Sequence, residues 1–269
     1  MQKGRVLITG GTSGLGFELV KCFLREGFDV YAFGRDEKRL FDRGERLYFS
    51  KVDFSDLSDI KRSFQTLSDN GIRFDVVINN AGVLSPPEFT MTGNGLEYTF
   101  QVNFLSHLPL NEMIIREKGN DEPLTIVSVT SPVYRYFKPD FKIPDIIGYR
   151  PFKSYAESKL YLLLIGESLL YKYPGKDLKF IGFDPGTFRS GIYRMQKNWF
   201  QKMYLVASPF MRNPSKVARI LAEILLEQEL VTGVVYRRKN RYRTLDHIDK
   251  EEIEKFMAIC FGKIESHLR

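Results

Sequence analysis

The chain has 269 residues, 43% of them apolar, with a formal net charge of +7 and two cysteines. That apolar fraction supplies a full core and excludes a disordered chain. Cys22 and Cys260 both lie in apolar, helix-like surroundings, which excludes a disulfide framework and points to buried thiols in a reducing compartment. No segment approaches the roughly 18 apolar residues of a spanning helix, so the protein is expected in the cytoplasm, with peripheral membrane contact as the most a membrane would offer.

The N-terminal MQKGRVLITGG has too short an apolar run for a secretion signal and reads as a first strand, RVLIT, at 5–9. A helical pattern follows at 15–26, with Gly27 where a C-cap belongs. Further strands are read in DVYAF (29–33), RLYFSKV (46–52), FDVVIN (74–79), LTIVSV (124–129) and LKFIGF (178–183), and helices at 56–69, 95–117 and 153–172. An aromatic and basic stretch at 192–212 leads to a helix over 214–228, a short strand GVVYR and a last helix near 249–264. This alternation predicts one α/β domain over 1–269, doubly wound in the Rossmann manner. Its parallel sheet has about seven strands with helices on both faces. Residues 1–130 form mainly the cofactor half and 131–269 the catalytic and substrate half.

TGGTSGLG at 9–16 leaves the first strand and opens the first helix. Gly10 suits the turn, Gly14 lets backbone approach a pyrophosphate, and Gly16 lets helix and sheet pack closely. The free N–H groups of the helix start face the anion. After the second strand and Gly34 come Arg35 and Asp36. Asp36, 20 residues beyond Gly16, has the spacing of an acid that holds a free ribose hydroxyl. Arg35 is planar and suited to a bidentate phosphate contact, with Lys38 and Arg39 nearby.

GYRPFKSYAESKLYL, at 148–162, contains a tyrosine four residues before a lysine twice. Pro151 separates Tyr149 from Lys153 and keeps them off one helical face, while it suits the first turn of a helix. Nothing between Tyr155 and Lys159 breaks a helix, so this pair can point together into a cleft. A phenol titrates near pH 10, and an ammonium one turn away favours its phenolate. Tyr155 could then give a proton when a carbonyl is reduced and take one when an alcohol is oxidised.

The Gly-x3-Gly-x-Gly spacing, NNAG at 79–82 and the Tyr155–Lys159 pair together resemble the short-chain dehydrogenase/reductase family, classical type, over nearly the whole chain. The resemblance implies an NADP(H)-dependent oxidoreductase, with a non-catalytic dinucleotide-binding or sensing protein of the same fold as the alternative, and a chain that forms a dimer or tetramer through the helices at 95–117 and 153–172. Gly10, Thr12, Ser13, Gly14, Leu15 and Gly16 would hold the cofactor. Arg35 marks NADP(H), with NAD(H) as second choice, because the family's basic residue before the middle glycine is replaced by Ser13. Asp53 matches an adenine-contacting acid, with Phe54 lending backbone, although a helix N-cap is the other reading of Asp53 and Ser55 or Asp56 could fill that position. Asn80, Ala81 and Gly82 would pass close to the cofactor, and Asn79–Asn80 could tie strands together.

In the same resemblance Lys159 would bond the nicotinamide ribose and Ser131 would orient the substrate oxygen. Ser128 stands too early, and Thr130 faces the other way. Asn103 would hold a water beside the lysine. Pro185, Gly186 and Thr187, with Ser190, match a turn on the nicotinamide carboxamide. Ser131 and Tyr155 stand 24 apart, about twice the usual separation. The extra loop over 132–152, the VNFLSHLPL stretch and the C-terminal pattern look like the retinol dehydrogenase-like branch, which works on bulky apolar alcohols and aldehydes. Residues 190–212 would then form a lid including Tyr193, Met195, Trp199, Phe200, Met203, Tyr204 and Leu205, with Tyr193 and Trp199 as candidate substrate contacts. His107 reads as a packed core histidine. No metal is implied.

Between Arg189 and Arg243 twelve Lys/Arg face three Glu. Such a patch is a solvated surface, or it attracts lipid headgroups, nucleic acid or an anionic substrate. No nucleic-acid motif accompanies it, and none is expected as partner.

Overall fold

A computed structural model describes residues 3–37, 44–189, 191–192, 196, 198, 201–202, 208, 211–238, 240–243, 245 and 248–268. The apolar runs of the first half form the strands β1 (Arg5–Thr9), β2 (Asp29–Gly34), β3 (Leu47–Lys51), β4 (Val76–Asn79) and β5 (Leu124–Val129). The second half adds β6 (Leu178–Phe183), β7 (Val234–Arg237) and β8 (Asn240–Arg243). Their order in the sheet is β3-β2-β1-β4-β5-β6-β7-β8. Seven strands run parallel, as expected. The eighth corrects that count: it turns back antiparallel on β7, pairing Tyr242 with Val235 and Arg241 with Tyr236. NRYR has no apolar alternation of its own, and it is a strand because β7 offers it an edge.

The chain leaves β1 toward one edge of the sheet, through β2 and β3, and resumes at β4 on the other side of β1. The crevice at the carboxyl ends of β1 and β4 is therefore the switch point where such sheets bind ligands. Helices α1 (Gly14–Arg25) and α6 (Pro214–Glu227) cover one face. Their Leu19, Phe23, Val217 and Leu221 pack on Val6, Ile8, Val30 and Ile181. Four helices cover the other face: α2 (Leu57–Asp69), α4 (His107–Glu117), α5 (Pro151–Lys172) and α7 (Lys250–Leu268). There Phe64, Ile115, Leu169 and Phe256 meet Leu7, Phe33, Val77 and Ile126. Neighbours such as Val6 and Leu7 take opposite faces because strand side chains alternate.

The helix read over 95–117 is not continuous. A short α3 (Tyr98–Phe100) runs into a π-helical turn, Gln101–Leu105, before α4 begins. Ser106 N–H reaches back five residues to the Gln101 carbonyl, at 3.0 Å. Two local causes act together. Pro109 in the first turn of α4 has no N–H to give, and Asn103 is held sideways by the backbone of Val83. Such single π turns favour functional positions. Pro151 is the first residue of α5, so Tyr149 lies outside that helix. Cys22 and Cys260 are both free, and burial raises both thiols above the ordinary range. Among the described residues no helix is long and apolar enough to cross a membrane, and no group of three or more His, Cys, Asp or Glu could hold a metal ion.

Candidate active site

β1 ends at Thr9, and the glycine turn delivers the chain to α1 with Ser13 at the N-cap, where its side chain makes no capping hydrogen bond. The first N–H groups of α1 are thus left to the groove beside them. Gly14 holds a φ of +54°, which disfavours any side chain there. A Cβ on Gly16 would sit 2.2 Å from the Gly10 carbonyl oxygen, so this position admits only glycine at the present packing. Gly10, Thr12, Ser13, Gly14, Leu15, Arg35, Asp53, Phe54, Asn80, Ala81 and Gly82 all line one groove. Asp36 lines it too, directly after Arg35.

The turn and the NNAG segment are fastened by a residue the motifs did not single out. Thr9 Oγ1 accepts the N–H groups of Asn80 (2.9 Å) and Ala81 (2.8 Å) and lies 3.1 Å from His107 Nε2. Asn80 Nδ2 donates to the Thr9 carbonyl at 2.8 Å. Asn79, by contrast, has no hydrogen-bond partner for its side chain, so Asn80 alone makes the tie expected of the two. His107 is fully buried against Phe54 (4.9 Å between ring centres), and burial, helped by the charge of Lys159, lowers its pKa to about 3. It is a neutral packing residue at physiological pH. Asp56 caps α2 through Ser58 N–H, whereas Asp53 accepts from the N–H and hydroxyl of Ser55 at the groove.

Two of the catalytic candidates, Lys159 and Asn103, meet at Gly82, which lines the groove. A Cβ there would lie 3.0 Å from Lys159 Nζ and 3.2 Å from Asn103 Oδ1. Lys159 is 4% exposed, donates to the Val129 carbonyl at 3.1 Å, and has its pKa lowered by burial to about 8. Asn103 accepts the Val83 N–H (2.7 Å) and donates to the Val83 carbonyl and to Ser158 Oγ, both at 2.9 Å. Ser158 Oγ in turn donates to the Tyr155 carbonyl at 2.7 Å. Both amide hydrogens of Asn103 are thus given to protein acceptors. Tyr155 lies half-buried one turn before Lys159 on α5.

Three hydroxyls crowd the end of β5, and the structure separates them. Ser128 Oγ donates to the Leu162 carbonyl and Thr130 Oγ1 to the Lys159 carbonyl, both buried against α5. Ser131, more exposed than either, starts the 3-10 turn Pro132–Tyr136 two residues beyond the carbonyl that holds Lys159. The rival pair is dispersed. Tyr149 OH donates to the Pro86 carbonyl at 3.0 Å, while Lys153 pairs with Asp140 (2.5 Å) and Glu157 (3.8 Å).

On the far wall the groove is lined by Phe188, Gly191 and Ile192 rather than by Pro185, Gly186 and Thr187. The Gly186 N–H is drawn to the buried Asp184 carboxylate at 2.8 Å, which sets the turn. Ser190, Tyr193, Met195, Trp199, Phe200, Met203, Tyr204 and Leu205, like Lys38 and Arg39, lie outside the described residues.

The family model described as "short chain dehydrogenase" matches residues 4–141. Retinol dehydrogenase 12 of Mus musculus is 27% identical over 237 residues, 84% of this chain and 74% of that protein. Retinol dehydrogenase 11 of Homo sapiens is 26% identical over 240 residues, with 85% and 75% covered. Polyprenol dehydrogenase of Homo sapiens is 28% identical over 209 residues, with 70% and 62% covered. Among solved structures, 3-ketoacyl-(acyl-carrier-protein) reductase from Brucella melitensis complexed with NADH superposes with a TM-score of 0.65 at 19% identity, over 87% of this chain and 96% of that one. The closed form of serine dehydrogenase complexed with NADP+ gives 0.67 at 18% identity, over 83% and 90%. These two likenesses concern the fold.

Proposed function

We propose, from the premise that the chain belongs to the short-chain dehydrogenase family in its retinol dehydrogenase-like branch, that it is an NADP(H)-dependent oxidoreductase of apolar alcohols and carbonyls. The observation that carries this reading is the meeting of Lys159 Nζ and Asn103 Oδ1 at Gly82, with Tyr155 one helical turn away. The bound dinucleotide supplies the hydride chemistry. The chain supplies alignment and a proton. With its pKa at about 8, Lys159 is still mostly an ammonium at pH 7, and its acceptor among the described residues is the neutral Val129 carbonyl. Its field therefore favours the phenolate of Tyr155. Tyr155 then exchanges a proton with the substrate oxygen, which Ser131 orients by a hydrogen bond.

The glycine turn and the α1 N-terminus suit a pyrophosphate, and Arg35 at the end of β2 suits a 2′-phosphate. That NADH- and NADP+-bound proteins share the fold supports a nicotinamide dinucleotide in this groove. The choice of NADP(H) rests on Arg35. Retinol dehydrogenases and polyprenol dehydrogenase among the relatives support a long apolar substrate. The test is Tyr155→Phe, assayed with NADPH and a panel of apolar aldehydes. Turnover should fall by at least about 10²-fold with NADPH affinity nearly intact. A variant that turns over at the wild-type rate sinks the mechanism.

A further inference from the structure

Two arginines meet at the Gly186 turn, and a third, Arg238, lies close enough to Arg212 to act on it through its charge. A Cβ on Gly186 would lie 3.6 Å from Arg212 Nη1 and 3.9 Å from Arg237 Nη2. Glycine, at a φ of +65°, leaves that space open, and two guanidinium groups converge on it. Arg238 follows at the β7–β8 hairpin with a φ of +57°, a backbone form that a side-chain-bearing residue seldom takes. The nearby carboxylate is Asp184, wholly buried and already accepting from Gly186 N–H (2.8 Å) and Tyr242 OH (3.2 Å), with Arg237 Nε at 3.7 Å. Among the described residues, one spoken-for carboxylate against three guanidinium groups leaves an excess of positive charge. Burial and the charges of Arg238 and Arg237 push the Arg212 pKa down.

This cluster adjoins the groove. Phe188, which lines the groove, bridges to Arg212, and Arg189 N–H donates to the Arg212 carbonyl at 3.0 Å. It is remote from the adenosine end. From β2, which leads into Arg35, to β6, which leads into Gly186, the sheet steps across four strand spacings, about 19 Å. An anion held here is therefore not the 2′-phosphate, and β1, which leads into α1 and its pyrophosphate site, is three strand spacings from β6, about 14 Å.

We propose that Arg212, Arg237 and Arg238, above the Gly186 turn, bind an anionic group, carboxylate or phosphate, carried by the substrate. Arginine forks match both groups in plane and spacing. The substrate class becomes an apolar carbonyl or alcohol with an acidic end, and this rests on the oxidoreductase reading above.

The test uses the full chain saturated with NADPH. kcat/KM is compared for a straight-chain aldehyde and for the ω-oxo carboxylic acid of equal length, at low ionic strength. A preference of tenfold or more for the oxo acid is expected, with inorganic phosphate competing against it. Arg212→Gln and Arg237→Gln should bring the ratio to near one, and Arg212→Lys should restore part of it. Calorimetric titration with inorganic phosphate is run beside the kinetics. Phosphate binding that Arg212→Gln abolishes, without any oxo-acid preference, keeps the anion site and overturns its assignment to the substrate. Equal kcat/KM values together with no phosphate binding overturn the site altogether. If neither aldehyde reacts, the oxidoreductase reading fails, and the phosphate titration still decides whether the arginines hold an anion.

Discussion

Lys153 and Lys159 stand on the same helix, each four residues after a tyrosine, and local sequence alone barely separates them. Their surroundings separate them completely. Lys153 faces the carboxylates of Asp140 and Glu157, which consume its charge. Lys159 is buried, with a backbone carbonyl as acceptor, and burial alone lowers its pKa. Tyr149 lies before the helix, and burial together with the nearby Glu97 raises its phenol above the ordinary value. A lysine paired with carboxylates is a structural counter-ion. A lysine held by a neutral acceptor in a dry site keeps its field for the phenol one turn away, at a cost in stability.

The largest expected effect is the difference between the two tyrosines. Tyr155→Phe should lower kcat with an apolar aldehyde by roughly 10²–10⁴-fold, the usual worth of a positioned acid. Tyr149→Phe removes a hydrogen bond to the Pro86 carbonyl and should cost about 1 kcal/mol of stability with less than tenfold change in kcat. Steady-state kinetics of both variants, with denaturant unfolding as control, would break the comparison if the two fell equally.

The same contrast shows what sequence reading reaches. The seven parallel strands were readable because burial on both faces leaves continuous β-branched runs, as in RVLIT and LTIVSV. Pro151 ruled out Tyr149–Lys153 by local sterics alone. What escaped depends on partners far along the chain. Thr9 carries no local signal, since the N–H groups it accepts lie more than 70 residues away. The π turn at Asn103 needs Val83, and β8 needs the edge of β7. Arg212 and Arg237 come together only because α6 returns the chain from the Gly186 turn to the sheet.

Lys159 also gives a stability prediction of opposite sign to its catalytic one. Its folded pKa, about 8, lies below the ordinary lysine value of 10.5. Between these values the unfolded chain binds more protons, so wild-type stability rises as pH climbs from about 8 toward 10.5. Below that window the burial of the ammonium costs on the order of 3 kcal/mol. Lys159→Met should remove this cost, offset by about 1 kcal/mol for the Val129 carbonyl left unpaired. The variant should be inactive yet more stable at pH 7 by on the order of 2 kcal/mol, and its advantage should shrink above pH 8. Thermal unfolding at pH 7 and pH 10 checks both signs. The same ionisation predicts that wild-type turnover declines as pH rises through about 8, as the ammonium beside Tyr155 is lost.

The smallest effect belongs to Lys153. Its side chain is 22% exposed and that of Asp140 44%, so the pair is screened by water and worth about 0–1 kcal/mol. Lys153→Met should therefore lower stability slightly, the reverse of Lys159→Met, and the loss should fade at high salt because exposed pairs are screened. Its sign is more informative than its size. Replacing one lysine should destabilise because its charge has carboxylate partners. Replacing the other should stabilise because its charge has none among the described residues. Two matched Lys→Met substitutions six residues apart, measured by urea unfolding at low and high salt, isolate that single variable. If both variants lost stability alike, Lys159 would be an ordinary paired cation, and its field would no longer be available to the phenol of Tyr155.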